Sequence, residues 1–243
     1  MHARASTGTN VARLTEVAPI HLRPVAELAD RVLLPGDPHR ALAVAQALLD
    51  APKMFNHTRG LWGYTGTAPD GRLLTVQATG MGGPSAAIIV EELIALGART
   101  LIRIGTCGAL GHGSELGEVV AAREVLAADG TSTALGAEGR IAADSGLTDA
   151  LVAAGAREVV AVSTDVFYDR REGVQADWMR SGAEVVEMEA ATLLALARRQ
   201  GVAAGVLLAV TDLLEGGRRR IGGEALEVAG VRLGEIAYQA LEG

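Results

Sequence analysis

The chain has 243 residues and a net charge of −7, and 49% of its residues are hydrophobic against 21% charged. This composition supplies a sizeable core for one large α/β domain or two small ones, and it argues against nucleic acid or an anionic membrane as the main partner. The one cysteine, Cys107, excludes a disulfide within the chain and favours a reducing compartment.

Residues 1–18 are mixed and polar, and we expect them to be loosely held. They lack the apolar core of a signal peptide, and no apolar run in the chain reaches the ~18 residues of a membrane helix. The sequence therefore predicts a cytoplasmic protein with no membrane partner. Because no repeat or linker divides the remainder, residues 19–243 are predicted to form one domain.

Apolar strands alternate with helices along that domain. The first predicted strand, residues 31–34, runs into a helix that Asp37 caps and that has Pro38 at its first position. The further predicted strands are residues 61–67, 73–78, 100–104, 116–126, 158–162 and 206–210, and the further predicted helices are residues 84–96, 147–154, 188–199 and 225–241. This alternation predicts an α/β fold with a mixed or mostly parallel sheet covered on both faces, and with ligands beyond the carboxyl ends of strands.

The turn from Gly36 to Arg40 is the first candidate for anion binding. It follows a strand and opens a helix, where backbone N–H groups and the helix dipole favour an anion. The guanidinium of Arg40 can add two parallel, charge-assisted hydrogen bonds to the same anion. The alternative is a plain strand–helix turn with a surface arginine, and this segment by itself favours that alternative.

Arg103 is the second candidate, because it lies in an apolar run just before a glycine. Burying an unpaired guanidinium is expensive, so Arg103 needs an anionic partner. That partner is either a phosphate, which Gly105 and Thr106 could also bind from a glycine turn, or a glutamate in a structural ion pair. The sequence leaves both possibilities open.

Three acids follow later in the chain. Glu187 and Glu189 lie two residues apart at a predicted helix start, where one carboxylate can accept hydrogen bonds from both hydroxyls of a ribose. Acids that merely complement the helix dipole are the alternative. Asp212 ends a buried strand and suits a proton donor, with an ordinary turn aspartate as the alternative.

Other side chains give weaker signals. The histidines show no metal-ligand spacing, so we expect no metal site. Cys107 is interpreted as a small buried residue rather than a nucleophile. The polar residues 129–133 and the arginines 218–220 are interpreted as loops, the latter solvated.

Several short segments spread over residues 21–241 together resemble the nucleoside phosphorylases that form trimers or hexamers. Each segment alone is weak, but jointly they are very specific. The resemblance implies a single α/β domain whose central mixed, partly barrel-like sheet is flanked by helices. The matching segments are Pro35 to Arg40, Asn56 to Gly60, Gly80 to Gly82, Arg103 to Gly108, Asp165 to Tyr168, Val186 to Ala191 and Val210 to Asp212.

The resemblance also implies a role for each matching residue. Glu189 would bind the 2′- and 3′-hydroxyls of the ribose, His21 would contact the 5′-hydroxyl across a dimer interface, and Asp212 would protonate N7 of a purine. Arg59 would reach into the phosphate site of a neighbouring subunit. The full implied set is Gly36, Arg40, Arg59, Arg103 and Thr106 for phosphate, and His21, Phe167, Glu187, Met188 and Glu189 for the nucleoside.

The implied reaction is phosphorolysis of purine nucleosides to free base and ribose 1-phosphate, by a homohexamer built as a trimer of dimers. Phosphate is the co-substrate, and no cofactor is expected. Uridine phosphorylases carry a Gln-x-Arg pair shortly after the position of Tyr168, and this chain has no such pair. They also lack an acid at the position of Asp212. Both differences favour a purine over uridine as the base. Residues 213–217 keep a methylthioadenosine phosphorylase open as an alternative.

Two other classes remain as less favoured alternatives. A nucleosidase of this fold would lack the phosphate arginines, whereas this chain has Arg40, Arg59 and Arg103. A non-catalytic nucleoside-binding protein would have no need of Asp212. The bacterial purine enzymes carry an arginine where this chain has Ala225, and Arg218, Arg219 or Arg220 could substitute for it, so the sequence leaves open which arginine, if any, assists Asp212.

Overall fold

The computed structural model describes residues 19–242, so the segment predicted to be loosely held, residues 1–18, lies outside the described residues. The strands are β1 (Arg31–Leu34), β2 (Asp50–Asn56), β3 (Gly63–Thr67), β4 (Leu73–Gln77), β5 (Thr100–Ala109), β6 (Val119–Ala128), β7 (Arg140–Ala142), β8 (Arg157–Thr164), β9 (Val185–Glu187), β10 (Ala203–Leu213) and β11 (Arg219–Arg220). The helices are α1 (Pro38–Leu48), α2 (Gly83–Leu96), α3 (Gly130–Ala134), α4 (Ser145–Ala153), α5 (Val174–Arg180), α6 (Ala190–Gln200) and α7 (Gly223–Gln239), with a 3₁₀ turn at Thr58–Gly60. None of the helices in this described part has the length and apolarity needed to span a membrane.

Five strands close into a barrel in the order β10, β6, β8, β9 and β5, and the pairing of β5 with β10 completes the ring. The strand pairs are parallel between β5 and β10, β6 and β8, and β8 and β9, and antiparallel between β6 and β10 and between β5 and β9. From β5 the sheet continues through β1, β4, β3 and β2. The mixed, partly barrel-like sheet that the resemblance implied is confirmed.

Helices cover both faces of the sheet because alternate strand residues point to opposite sides. Val32 and Leu34 belong to a core that also contains α2 and α6, whereas Leu33 belongs to a second core with α1 and α7. Helices α1 and α7 approach closely, since a Cβ added at Gly234 would lie 2.6 Å from Cγ1 of Val44. The small residue is therefore needed where these two helices meet.

The predicted strands and helices exist, and their ends differ from the prediction by a few residues. Strand β1 has the predicted bounds, and Oδ1 of Asp37 accepts the N–H of Arg40 at 2.9 Å, which confirms the predicted cap. Two predictions are wrong. The strand that begins at Thr100 does not stop at Gly105 but runs to Ala109, because β10 pairs with it along its length. The predicted loop at residues 129–133 is mostly the short helix α3, which the carboxylate of Asp129 caps.

Candidate active site

The side chain of Arg103, on β5, lies between two carboxylates. Its Nε donates to Oε2 of Glu187 at 2.9 Å, and its Nη2 donates to Oε2 of Glu189. All three side chains are buried. Burial acts to lower the pKa of Arg103, but the neighbouring carboxylates of Glu189 and Glu187 outweigh it and raise the pKa above its ordinary value. The structural ion pair, one of the two partners that the sequence left open, is therefore present in this arginine–glutamate cluster of Arg103, Glu187 and Glu189.

Glu187 ends β9 and caps α6. Its Oε2 accepts the backbone N–H groups of Glu189 at 2.8 Å and of Ala190 at 2.9 Å, and its Oε1 accepts a hydrogen bond from the hydroxyl of Ser163. The first N–H groups of a helix lack partners within the helix, so this carboxylate satisfies them. The resemblance placed Glu187 among the nucleoside ligands. Its side chain is 0% exposed, and its two oxygens support Arg103 and the start of α6.

Glu189 connects the cluster to the glycine turn that precedes α2. Its Oε1 accepts the backbone N–H of Gly82 at 2.5 Å. Gly82 has a φ of 87°, a conformation that favours glycine. Burial raises the pKa of Glu189, although the Arg103 charge opposes the shift. A carboxylate has about four acceptor positions, so both oxygens keep a lone pair for a sugar hydroxyl.

Arg40 lies in the first turn of α1, close to the cluster. Its guanidinium forms no ion pair with any carboxylate of residues 19–242. Burial lowers the pKa of Arg40, and the like charge of Arg103 lowers it further, while Asp37 and Glu189 act in the other direction. Because Arg40 lies beside Arg103 and lacks a carboxylate partner, a bound anion would stabilise its charge.

The sheet edge next to these arginines is open. Strand β1 pairs with β5 only as far as Arg103, and β9 pairs with the same edge of β5 from Gly108 onwards, so residues 104–107 have no strand on that side. Thr106 lies in this gap and is partly exposed. Gly36 follows β1 at the rim of the gap, where its carbonyl accepts the N–H of Gly80 at 3.1 Å. Gly36, Thr106 and Arg103 therefore lie at one gap in the strand pairing of β5, with Arg40 close to Arg103.

Asp212 lies within β10, beside an irregularity in the strand. The register between β10 and β5 shifts between Val210 and Asp212, and such bulges re-aim side chains. Asp212 is only 5% exposed. Its Oδ1 accepts Nε of Arg218 at 2.7 Å, and its Oδ2 accepts the hydroxyl of Thr211 at 2.9 Å. Asp212, Thr211 and Arg218 form an acid cluster with a charge-assisted hydrogen bond at its centre.

Arg218 reaches Asp212 because β10 folds back into β11. Asp212 pairs with Arg220 in antiparallel register, and Gly216 and Gly217, with φ of 68° and 104°, form the turn between them. Nε of Arg220 is 3.8 Å from Oδ1 of Asp212, farther than that of Arg218. The loop prediction is wrong for Arg219 and Arg220, which form β11, whereas Arg218 lies in the exposed turn before that strand and also pairs with Asp212.

Phe167 lies on the loop after β8 and is half exposed. The guanidinium carbon of Arg218 is 4.4 Å from the centre of its ring, within the range of a cation–π contact. Tyr168 packs edge-on against the same ring, with the ring centres 4.9 Å apart. The aromatic side chain that the resemblance assigned to the nucleoside therefore adjoins the acid cluster. Met188 is partly buried between Glu187 and Glu189 in the chain.

His21 forms no contact with the arginine–glutamate cluster within the chain. Its Nδ1 is 2.8 Å from Oε1 of Glu92, a buried residue of α2. The carboxylate of Glu92 also accepts the backbone N–H groups of Ile20 at 3.0 Å and Leu22 at 2.7 Å. Glu92 thus fixes the segment that carries His21, while the imidazole side chain stays 32% exposed.

Arg59 is exposed on the 3₁₀ turn and has a φ of 60°. A positive φ is uncommon for a residue other than glycine and is found often at functional sites. Hydrogen bonds fix the backbone where the turn ends. Asn56 and Gln77 both donate side-chain N–H groups to the carbonyl of Leu61, at 2.7 and 3.0 Å. Arg59 is therefore presented outward from a fixed backbone.

The family of the chain follows from comparison with known proteins. A family model described as the phosphorylase superfamily matches residues 30–241. The chain belongs to the phosphorylase superfamily. It is 37% identical to the DeoD-type purine nucleoside phosphorylase of Roseobacter denitrificans over 219 residues, which cover 84% of this chain and 93% of that protein. The DeoD-type enzymes of a Jannaschia and a Geobacillus species are 39% and 38% identical, over 77% and 76% of this chain and 84% and 82% of their own lengths.

Two further features of this phosphorylase lie apart from the chemistry described above. Cys107 is buried, and burial raises the pKa of its thiol, which disfavours a nucleophilic role. A cavity of about 370 Å³ is lined by residues that include His112, Arg157 and Glu184. Arg157 there is already paired with Glu184 at 2.7 Å and with Glu118 at 2.6 Å, so its charge needs no ligand. Among residues 19–242 no group of three or more histidine, cysteine, aspartate or glutamate side chains is placed to hold a metal ion.

The sequence did not predict the supporting roles of Ser163 and Glu92, and it named Arg218 only as one of three arginines that could assist Asp212. Arg218 had one usable signal, since five residues, two of them adjacent glycines, separate it from Asp212, which is the length of a short hairpin loop. Ser163 and Glu92 carried no such signal. They act through contacts with residues 24 and 71 positions away, which only the folded sheet brings together.

Proposed function

We propose that the chain catalyses the phosphorolysis of purine nucleosides to free base and ribose 1-phosphate. The observation that carries this proposal is the grouping of Arg40, Arg103 and Glu189 around one opening in the sheet, with the acid Asp212 on the adjacent strand β10. The names of the relatives, purine nucleoside phosphorylases of the DeoD type, support the same reaction.

Phosphate binds at the opening in this account. Arg40 and Arg103 supply charge, and Gly36 and Thr106 line the rim. Within one chain, however, Arg103 is paired with both Glu187 and Glu189, so the two positive charges of Arg40 and Arg103 are offset by two negative ones and a phosphate dianion requires a further cation. We propose that Arg59 of a neighbouring subunit supplies that cation, in a homohexamer built from dimers. Its exposure and fixed backbone support this role.

The ribose lies between phosphate and base. Glu189 accepts hydrogen bonds from the 2′- and 3′-hydroxyls, Met188 packs on the sugar, and His21 contacts the 5′-hydroxyl across the dimer interface. As the C1′–N9 bond lengthens, its electron pair moves to the base and the sugar gains positive charge, which the phosphate stabilises before it bonds to C1′. Holding phosphate and C1′ together in this geometry supplies a large part of the rate.

Asp212, in its acid form, donates a proton to N7 of the leaving purine while Phe167 packs against the base. Arg218 and Thr211 then stabilise the carboxylate that remains, through the hydrogen bonds they already make. General acid assistance of this kind is worth about 10²–10⁴-fold. No step calls on a metal or an organic cofactor, and we propose a cytoplasmic location, which the single cysteine supports.

The test is release of base from inosine, adenosine, uridine and methylthioadenosine, each with and without phosphate. We expect purine release only when phosphate is present. Release that does not depend on phosphate would identify a nucleosidase, and turnover of uridine alone would contradict the purine assignment. Turnover of methylthioadenosine alone would identify the alternative that residues 213–217 keep open.

A further inference from the structure

Arg218 has hydrogen-bonding capacity that the acid cluster does not use. Its Nε donates to Asp212, but neither of its two terminal nitrogens donates to any residue of the described chain. A guanidinium carries five N–H groups, so four of them remain available. Its side chain is 38% exposed and lies against the half-exposed ring of Phe167.

We propose that Arg218 selects the base by donating a hydrogen bond to the substituent at position 6, so that the enzyme prefers 6-oxopurine nucleosides to 6-aminopurine nucleosides. This inference rests on the proposed function, in which Asp212 donates to N7. It assigns Arg218 a direct contact with substrate, in addition to its contact with the proton donor.

The hydrogen-bonding groups next to N7 on the purine edge determine which base Arg218 favours. Next to N7, inosine and guanosine present O6, a hydrogen-bond acceptor, whereas adenosine presents an amino group, a donor. With the carboxyl group of Asp212 on N7, we infer that the guanidinium bonded to it lies on the side of position 6, because the other ring neighbour of N7 is a C–H, which offers no acceptor. The guanidinium is a donor only, so it matches O6 and opposes the amino group.

The size of the preference follows from this mismatch. A good pair of contacts to a base edge discriminates against the wrong base by about 5- to 150-fold. Arg218 is partly exposed, so water can satisfy part of its donor capacity when adenosine binds. We therefore expect a preference near the lower part of this range, about tenfold in kcat/KM.

The neighbouring arginines do not fit this role. Arg220 approaches the same carboxylate oxygen only to 3.8 Å, and its side chain is 65% exposed. Arg219 is exposed and forms no ion pair with a carboxylate among residues 19–242. Arg219 is thus a matched control, because it lies in the same hairpin, has the same charge and is absent from the acid cluster.

The experiment compares kcat/KM for inosine, adenosine and purine riboside, which has no substituent at position 6, at saturating phosphate. In the unaltered protein we expect the order inosine, purine riboside, adenosine. In Arg218→Met, which keeps an apolar stem against Phe167, the inosine-to-adenosine ratio is expected to fall to about threefold or less, a loss of most of the discrimination. Arg218→Lys should retain part of the ratio, and Arg219→Met all of it.

The ratio separates base selection from support of Asp212. If Arg218 acted only through Asp212, Arg218→Met would slow all three substrates by the same factor and leave the ratio unchanged, which would overturn the inference. Adenosine used as well as inosine by the unaltered protein would also overturn it. No phosphate-dependent release from any of the three would instead overturn the proposed function, and this inference with it.

Discussion

Replacing Glu187 by glutamine tests whether the arginine–glutamate cluster is a structural centre as well as a binding site. The carboxylate accepts hydrogen bonds from Nε of Arg103, from the hydroxyl of Ser163 and from the first N–H groups of α6. Glutamine has nearly the same shape but turns one acceptor into a donor. In Glu187→Gln, two N–H donors would therefore face each other at a site with no exposed side-chain surface.

The expected loss of stability can be estimated from these contacts. A hydrogen bond to a charged group is worth about 1.5–3 kcal/mol, and loss of a helix cap costs about 1 kcal/mol. Arg103 keeps Glu189 as a partner, so the larger cost of an isolated buried charge does not apply. We expect the free energy of unfolding to fall by about 3 kcal/mol, which lowers Tm by roughly 6–12 °C for a chain of this size.

The measurement is thermal unfolding followed by circular dichroism, at one protein concentration because the protein is proposed to be an oligomer. Glu184→Gln is the matched control. Glu184 makes a single ion pair, with Arg157, and its side chain is 46% exposed, so a change of at most about 1 kcal/mol is expected. If Glu187→Gln had the same Tm as the Glu184→Gln control, the structural role of Glu187 would be refuted.

Three further predictions follow from the same geometry. Asp212→Asn should lower kcat for purine nucleosides by about 10²–10⁴-fold with a smaller drop in Tm than Glu187→Gln, and an unchanged rate would remove the proton-donor role. Because burial raises the pKa of Glu189, its carboxylate is lost at a higher pH than the usual value near 4.3. Nucleoside affinity, measured by calorimetry without phosphate, should therefore weaken as the pH falls while still above that value, and constant affinity down to it would contradict this assignment. The hydrogen bond from Arg31 lowers the pKa of Asp70 to about 2, so its stabilisation is present above pH ~4 and is lost as the pH falls towards 2. Because Asp70 is exposed and solvent screens the pair, Asp70→Asn should destabilise the protein by about 1 kcal/mol at pH 7, with the difference shrinking below pH 4, whereas a pH-independent difference would argue against the ion pair as its cause.

Local signals in the sequence predicted the elements that position the site. Asp37 and Pro38 mark the start of α1, and the apolar run at residues 31–34 marks the strand before it, because caps and strands depend on neighbouring residues. The same locality explains why Gly36 and Arg40 were correctly placed at a turn between a strand and a helix. The opening itself depends on where β1 stops and β9 starts along β5, which no local pattern encodes.

Partners distant in the chain were not predictable. The sequence required an anion for Arg103 but could not choose between phosphate and glutamate, because Glu187 lies 84 residues away. The glycine turn expected at Gly105 was wrong for a related reason, since pairing with β10 overrides the local preference of glycine. The sequence left Arg218, Arg219 and Arg220 as equal candidates to assist Asp212, and only the hairpin singles out Arg218.

The most direct test of the account is phosphorus nuclear magnetic resonance of the protein incubated with inosine and inorganic phosphate. The account predicts that the phosphate signal falls as a ribose 1-phosphate signal rises, in equal amounts with the hypoxanthine released. Hypoxanthine formed while the phosphate signal stays constant would contradict it, since the opening bounded by Arg40 and Arg103 would then not deliver phosphate to the sugar.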